Sequence, residues 1–150
     1  MKSWSIATVL SGALAGIALS VWQSSAAQPG KYLIILQAGK QSHEGHARAY
    51  HALLYAKELQ ENSHTVVLVF DGAGTEWVEE WTRPGSADPL VPLYREVRAK
   101  GITNVVCDFC ANAFQVKNSL KERGTQLVSE YSGHPSIAKW ANQGYQIIVL

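Results

Sequence analysis

The chain has 150 residues, of which 47% are hydrophobic and 17% are charged, so it is long enough for one ordinary hydrophobic core and too short for two. Thirteen Lys and Arg residues against twelve Asp and Glu residues leave a formal net charge of +1, which removes the electrostatic basis for a nucleic-acid partner or a polybasic membrane surface. The apolar content also excludes disorder. Two cysteines are too few for a fold built on disulfides.

The first 27 residues differ from the rest of the chain. One lysine precedes a charge-free stretch, residues 3–30, in which residues 4–22 are mainly Ala, Gly, Leu, Ile and Val. Together with small residues before a cleavage point after Ala26 or Ala27, these features are typical of a secretory signal. The alternative is an uncleaved membrane anchor over residues 4–22, since that run is long enough to span a bilayer. We expect cleavage and export to the periplasm or an equivalent compartment, with membrane contact only if the segment is retained.

The remainder alternates between strand and helix patterns. Continuous apolar runs rich in β-branched residues predict strands buried on both faces. These runs are Tyr32–Leu36, Thr65–Phe70, Ile102–Val106 and Tyr145–Leu150, with Thr125–Val128 as a weaker fifth. Apolar stripes at helical spacing predict helices between them. The stripes run from Ala49 to Leu59, from Leu90 to Val97, from Ala113 to Leu120 and from Ile137 to Ala141. Gly101, Gly124 and Gly144 are predicted to end the helices that precede three of the strands.

Five strands separated by helices predict an α/β fold with a mostly parallel sheet and helices on both faces. The arrangement that fits best is a flavodoxin-like three-layer α/β/α sandwich over residues 31–150. The longest irregular stretch, residues 71–88, carries Trp77 and Trp81. It is either a ligand-binding loop with exposed aromatic side chains or a short helix whose tryptophans cover the sheet edge or a subunit interface.

Ligands bind open parallel sheets at the carboxyl ends of the strands, near a switch in strand order. The polar residues that follow the predicted strands fall on that edge: Gln37, Gly39, Lys40, Ser42, His43 and His46 after the first, Asp71 and Gly72 after the second, Cys107, Asp108 and Cys110 after the third, and Glu130, Ser132 and His134 after the fourth. Both cysteines and three of the five histidines therefore share one edge. His51 and His64 fall elsewhere and are interpreted as structural or solvated.

The segment from Cys107 to Cys110 is the most informative. We expect Cys107 to be a solvent-reachable residue at the end of a strand and Cys110 to begin a helix, where free backbone N–H groups favour a thiolate. Asp108 acts in the opposite direction, because a neighbouring carboxylate disfavours a second negative charge. His134 would supply a compensating positive charge if the two loops meet. A CxxC motif serves redox pairs, metal sites and sulfur carriers, and free cysteines are also common in protein cores.

Metal and nucleotide sites have weaker support. His43 and His46 with the two cysteines have the ligand types of a zinc site, but they lie on separate loops and the histidine spacing commonly marks only a helix start. Residues 39–42 lack the upstream glycine and the Lys-Ser/Thr pair of a phosphate loop, and residues 71–74 lack the third glycine of a dinucleotide fingerprint. We therefore expect neither a metal nor a cofactor.

Taken together, residues 31–150 resemble the DsrE/DsrF-like family, a sulfur-relay group that includes the TusD-type subunits. The resemblance rests on the first strand with its long helix (residues 32–59), on the Val-rich second strand that runs into Asp71-Gly72, and above all on residues 105–111, Val-Val-Cys-Asp-Phe-Cys-Ala. It implies a flavodoxin-like domain that assembles as a homo-oligomer, either a trimer or a hexamer. It also implies exchange of sulfur with a donor or acceptor protein or with a small thiol.

The resemblance assigns roles to the two cysteines. In the family a cysteine at the end of the third strand accepts sulfur, and by motif this is Cys107. Some members have a second cysteine three positions later, here Cys110. The family often has a glycine eight residues after the reactive cysteine, where this chain has Gln115. The export-like N-terminus also differs from the cytoplasmic location of the known relays.

Three functions remain open at this stage. The first is a sulfurtransferase-like carrier that holds sulfane sulfur as a persulfide on Cys107, with Lys40, His43 or His134 stabilising the sulfur anion. The second is a thiol-disulfide redox protein that uses Cys107 and Cys110 as a pair. The third is a non-catalytic oligomeric binding module, whose edge pocket would be lined by His43, Asp71 and His134.

Overall fold

The computed structural model describes residues 28–150, and the predicted export segment or anchor over residues 1–27 lies outside this range. The elements in chain order are β1 (Lys31–Leu36), α1 (His43–Glu61), β2 (Thr65–Phe70), a 3₁₀ turn (Gly72–Gly74), α2 (Thr75–Thr82), α3 (Val91–Ala99), β3 (Thr103–Cys107), α4 (Asp108–Ala113), α5 (Lys117–Glu122), β4 (Leu127–Val128), α6 (Ile137–Ala141) and β5 (Gln146–Val149). All five predicted strands are present. Within residues 28–150, no helix has the length and apolar character that a membrane span requires.

The five strands form one parallel sheet in the order β4-β3-β2-β1-β5. The predicted α/β sandwich is therefore confirmed. Right-handed crossovers that step in one direction from β1 to β4 place the intervening helices on the same face. The chain then returns across the sheet to pair β5 with β1, and this reversal places α6 on the opposite face.

The face that carries α1 to α5 holds the larger part of the core. Trp77 and Trp81 of α2 are 0% and 2% exposed, and their rings stack with centroids 5.2 Å apart. Each buried indole N–H is satisfied, because Trp77 donates to the Ala38 carbonyl at 2.8 Å and Trp81 donates to Asp88 at 3.1 Å. The interpretation of Trp77 and Trp81 as exposed aromatic side chains of a ligand-binding loop is thus wrong. Residues 71–88 contain a short helix whose tryptophans cover the face of the sheet.

The opposite face is covered more thinly. Its buried centre consists of Leu33, Ile35, Val67, Val69 and Val105, and the five-residue α6 has no buried side chain of its own. On the edge strand β5, Ile147 and Val149 are 42% and 56% exposed. The prediction that the last strand is buried on both faces is wrong, because β5 has a neighbour on one side only and α6 is too short to cover it.

The apolar stripe from Ala113 to Leu120 predicted one helix, and the structure has two. α4 ends at Ala113, α5 begins at Lys117, and between them Gln115 has a φ of 61°. Ala113 is exposed, whereas Leu120 is buried. The positive φ of Gln115 lies in a region that only glycine adopts without strain.

Replacing Gln115 by glycine is expected to raise the free energy of unfolding by up to about 1 kcal/mol. A left-handed conformation costs a side-chain-bearing residue roughly 1–2 kcal/mol, and the extra freedom of glycine in the unfolded chain cancels part of that gain. Urea denaturation measures the change. Gln115→Ala is the matched control and should give no stabilisation, so an equal gain in both variants would contradict the explanation from backbone strain.

Candidate functional site

The pairing of β2 with β3 brings Asp71 and Cys107 together. Phe70 lies opposite Val106 in the parallel register, so the next residue on each strand leaves the sheet at the same edge. Cys107 ends β3 and is also the N-cap of α4, where its Sγ accepts a hydrogen bond from the backbone N–H of Cys110 at 3.4 Å. The predicted strand-to-helix junction is present, and it directs both sulfurs toward Asp71.

A tight turn positions His134, the fourth residue of the site. Tyr131 and His134 exchange two backbone hydrogen bonds of 2.8 Å, and the two residues between them, Ser132 and Gly133, have φ angles of 48° and 89°. Two successive positive φ angles are the signature of a type I′ turn. The turn is tied to α4 because the backbone N–H of Phe109 donates to the Gly133 carbonyl at 3.0 Å. The Phe109 ring also packs beside His134, with centroids 4.7 Å apart.

Asp71, Cys107, Cys110 and His134 form one cluster, whose polar atoms all lie within 4.8 Å of one another. The Cys107 Sγ is 3.2 Å from the His134 Nδ1, and the Cys110 Sγ is 3.8 Å from the same nitrogen. The Cys110 thiol donates to the Asp71 Oδ1 at 3.0 Å. Both cysteines are free thiols. All four side chains have atoms that ligate metals, and the cysteine–histidine pair has the geometry of a thiol beside its base.

Burial dominates the electrostatics of the two thiols. It raises the pKa of Cys107 far above the ordinary thiol range, against the lowering effect of the Cys110 backbone N–H, and Asp71 raises the pKa further. Burial and then Asp71 likewise raise the pKa of Cys110. Burial alone would also raise the pKa of Asp71, but hydrogen bonds from Cys110 and Gln37 outweigh it and lower the pKa of this carboxyl group. At neutral pH the resting site therefore holds two neutral thiols and one carboxylate.

The prediction that Cys107 is solvent-reachable is wrong. Cys107 is 0% exposed and Cys110 is 7% exposed, because α4 and the turn that carries His134 close over the end of β3. A cavity of about 390 Å³ lies beside them, and its lining residues are Val69, Asp71, Tyr131, His134, Pro135, Ser136, Ile137 and Ala138. Asp71 and His134 thus face the cavity while contacting the sulfurs, and they form the boundary between solvent and the thiols.

Of the residues predicted after β1, Gln37 contacts Asp71 of the cluster, whereas Lys40, His43 and His46 do not join it. Lys40 pairs with Glu80 at 2.8 Å, and His46 packs on Trp77 with ring centroids 4.7 Å apart. His43 begins α1 as an exposed residue and is not among the residues that line the cavity. Its predicted role in the chemistry stays a prediction. The cluster therefore lies at the ends of β2 and β3. The switch in strand order, near which a ligand site was expected, lies between β1 and β5 instead.

Asp108 was expected to disfavour a thiolate because of its negative charge. In the structure it forms an ion pair with Lys117 at 2.8 Å. This ion pair offsets its charge, so Asp71 is the carboxylate that faces the thiols. The Gln37 Nε2 donates to the Asp71 Oδ2 at 3.0 Å, a contact that no motif in the sequence indicates. The Ser132-Gly133 dipeptide was a usable signal for the turn before His134, because Ser-Gly marks tight turns.

Comparisons with known proteins agree with this architecture. The sequence model of the DsrE/DsrF-like family matches residues 30–150, and the chain belongs to this family. It is 32% identical over 100 residues to the uncharacterised protein MJ0733 of Methanocaldococcus jannaschii, a match that covers 67% of this chain and 78% of the relative. The fold is similar to that of BT1422 from Bacteroides thetaiotaomicron, a conserved protein of unknown function, with a TM-score of 0.53 and 20% identity over 80% of this chain and 94% of that one. Membership of this family is consistent with a part in sulfur relay.

Replacing Asp71 by asparagine is expected to lower the pKa of both cysteines, because the carboxylate is one of the causes that raise it. The rate of alkylation by iodoacetamide, followed by mass spectrometry across a pH series, measures this change. In the wild-type chain the rate should keep rising above the ordinary thiol midpoint of about 8.5, and in Asp71→Asn the midpoint should move to lower pH. Asp108→Asn is the control and should leave the profile in place, since Asp108 pairs with Lys117. Equal shifts in the two variants would contradict the assignment of Asp71.

Proposed function

We propose that this protein is a sulfur carrier that holds sulfane sulfur as a persulfide on Cys107. The observation that supports it best is the 3.2 Å contact between the Cys107 Sγ and the His134 Nδ1. A buried neutral thiol is a poor nucleophile, and a base within hydrogen-bonding distance removes that obstacle at the moment of reaction. Membership of the DsrE/DsrF-like family supports the same assignment.

The loading step follows from this contact. The His134 Nδ1 accepts the proton of Cys107 while the sulfur attacks the outer sulfur of a donor persulfide R–S–SH. A bond forms between the Cys107 sulfur and that outer sulfur, the donor S–S bond breaks, and the proton passes to the leaving thiolate to give R–SH. The overall change is Cys107–SH + R–S–SH → Cys107–S–SH + R–SH. Asp71, whose Oδ1 is 3.9 Å from the His134 Nδ1, stabilises the transient imidazolium.

The surroundings suit a bound sulfur atom. The cavity adjoins Asp71 and His134, so the outer sulfur has space on the side from which a donor arrives. Asp71 carries a negative charge and favours the neutral form of the persulfide, whose S–H can donate to the carboxylate or to the imidazole. A neutral persulfide screened from solvent is protected from stray thiols, and this protection is what a carrier needs between donor and acceptor.

Cys110 supports a route for release, which is also the second candidate function. Its sulfur lies within 4.8 Å of that of Cys107. Attack by the Cys110 thiolate on the inner sulfur of the persulfide forms a Cys107–Cys110 disulfide and expels HS⁻, and an external dithiol then restores both thiols. The same pair without a sulfur cargo is a thiol-disulfide exchanger. This reaction requires both cysteines, whereas sulfur loading requires Cys107 alone.

Incubation of the reduced full-length chain with a persulfide donor is expected to add the mass of one sulfur atom, measured by intact-mass spectrometry. Cys107→Ser should lose the adduct, and Cys110→Ser is the matched control that should keep it. An adduct that persists in Cys107→Ser, or no adduct in Cys110→Ser, which cannot release the sulfur through a disulfide, would reject the carrier.

The same assay tests the base. Removal of a positioned general base typically costs about 10²- to 10⁴-fold in rate, so His134→Ala is expected to load sulfur more slowly by a factor in this range. His51→Ala is the control, because His51 lies on α1 and stacks on Tyr55. Equal loading rates for wild type and His134→Ala would remove His134 from the reaction.

We further propose that the chain is exported and acts as a homo-oligomer. Export is supported by the signal-like residues 1–27. N-terminal sequencing of the native protein should therefore give a sequence that begins after Ala26 or Ala27, and a start at Met1 would contradict cleavage.

Association into a homo-oligomer is supported by the exposed apolar side chains of Ile147 and Val149 on the edge strand. Sedimentation velocity should give a trimer or hexamer, and a monomer at micromolar concentration would contradict it.

A further inference from the structure

The spacing of the four polar atoms in the cysteine cluster points to a second use of the site. We propose that Asp71, Cys107, Cys110 and His134 bind one thiophilic divalent cation, of which Zn²⁺ is the best fit, through one carboxylate oxygen, two sulfurs and the His134 Nδ1. The proposal rests on the geometry and charge of the cluster and does not require that the protein carry sulfur.

The distances are close to those in a tetrahedral zinc site. Zn–S bonds of about 2.3 Å and Zn–N or Zn–O bonds of about 2.0 Å place neighbouring ligand atoms about 3.3–3.8 Å apart. The Sγ atoms of Cys107 and Cys110 lie 3.2 and 3.8 Å from the His134 Nδ1. The Asp71 Oδ1 lies 3.0 Å from the Cys110 Sγ and 3.9 Å from the His134 Nδ1. These four distances lie in or near that range, and every pair of donor atoms is within 4.8 Å, so small shifts of the side chains would complete a four-ligand site.

The charges in the cluster favour a cation over an anion. The Asp71 Oδ1 lies 3.0 Å from the Cys110 Sγ, where a carboxylate disfavours a negative sulfur species that has no positive partner. A divalent cation reverses this relation, because it attracts the carboxylate and both thiolates together. Binding replaces the two thiol protons, which pass to the solvent, and leaves the His134 imidazole neutral.

Neighbouring groups orient the proposed ligands. Gln37 donates to the Asp71 Oδ2 at 3.0 Å and leaves Oδ1 directed at the cluster. The backbone N–H of Cys110 points at the Cys107 Sγ at 3.4 Å, and such bonds stabilise a metal-bound thiolate. The His134 side chain is 39% exposed, so its remaining ring N–H can bond to water when Nδ1 holds a metal.

This ligand set differs from the one weighed on sequence grounds, which paired the cysteines with His43 and His46. The fold supplies Asp71 and His134 instead, from the loops that follow β2 and β4. Because Cys107 serves in both roles, the metal and a sulfur cargo exclude each other. Zinc at this site would block sulfur loading and protect the thiols from oxidation.

Titration of the reduced full-length chain with Co²⁺ under anaerobic conditions tests the proposal, because tetrahedral thiolate-bound Co²⁺ gives a sulfur-to-cobalt charge-transfer band and visible d–d bands. The expected result is saturation at one Co²⁺ per chain, with both bands lost when Zn²⁺ is added. Loss of a ligand should weaken Zn²⁺ binding by at least about tenfold, since even outer-shell changes cost about 10- to 100-fold. This weakening is expected in Cys107→Ser, His134→Ala and Asp71→Asn.

Asp108→Asn is the matched control, since Asp108 lies between the cysteines but pairs with Lys117, and it should bind Co²⁺ as the wild type does. The melting temperature of each variant without metal confirms folding, and a rise on addition of Zn²⁺ should appear in the wild type and the control but not in Cys107→Ser. Absence of the charge-transfer band in the wild type would overturn the proposal. An undiminished band in both His134→Ala and Asp71→Asn would overturn it as well, because the two cysteines alone would then account for binding. Neither result bears on the persulfide assay, which is done without metal.

Discussion

The site depends on the parallel register between β2 and β3. Phe70 lies opposite Val106, and this single alignment sets a carboxylate and a thiol side by side at the point where both strands end. A parallel sheet makes such a meeting routine, because its strands all end at the same edge. What is particular here is that Cys107 also caps α4, so Cys110 is turned back toward the same point and the thiol pair faces Asp71.

Two sets of groups in the cluster act on the protonation of the thiols in opposite directions. Burial and Asp71 keep the thiols protonated, whereas the Cys110 N–H and the adjacent His134 favour a thiolate. In the proposed reactions the thiols stay protonated at rest and lose a proton either to the imidazole, which makes the sulfur nucleophilic, or on binding of a cation, which occupies the sulfur. The sulfurs are enclosed by α4 and the turn that carries His134, while Asp71 and His134 face the cavity. Asp71 and His134, which influence the protonation of the thiols, therefore also lie between the thiols and the cavity.

Much of the fold was predictable from the sequence because the strands have strong, uninterrupted apolar patterns. The apolar pattern gave a wrong prediction at two places. β5 has the composition of a central strand but lies at the edge of the sheet. The apolar stripe around Gln115 is interrupted by a backbone conformation that hydrophobic spacing does not indicate. At the site, the edge rule correctly grouped the cysteines with His134. It could not separate His134 from His43, since that choice depends on which loops fold over β3. Nor does a pattern of residue types report burial, which is why the enclosure of Cys107 was missed.

The most direct test of the account is to locate the sulfur. The wild-type chain, loaded with a persulfide donor, is trapped with iodoacetamide and digested, and tandem mass spectrometry of the peptide that spans Cys107 and Cys110 assigns the extra sulfur atom. The contact between Cys107 and His134 predicts fragment ions that place it on Cys107. Fragments that place it on Cys110, or a peptide whose two cysteines carry only the alkyl group, would contradict the account.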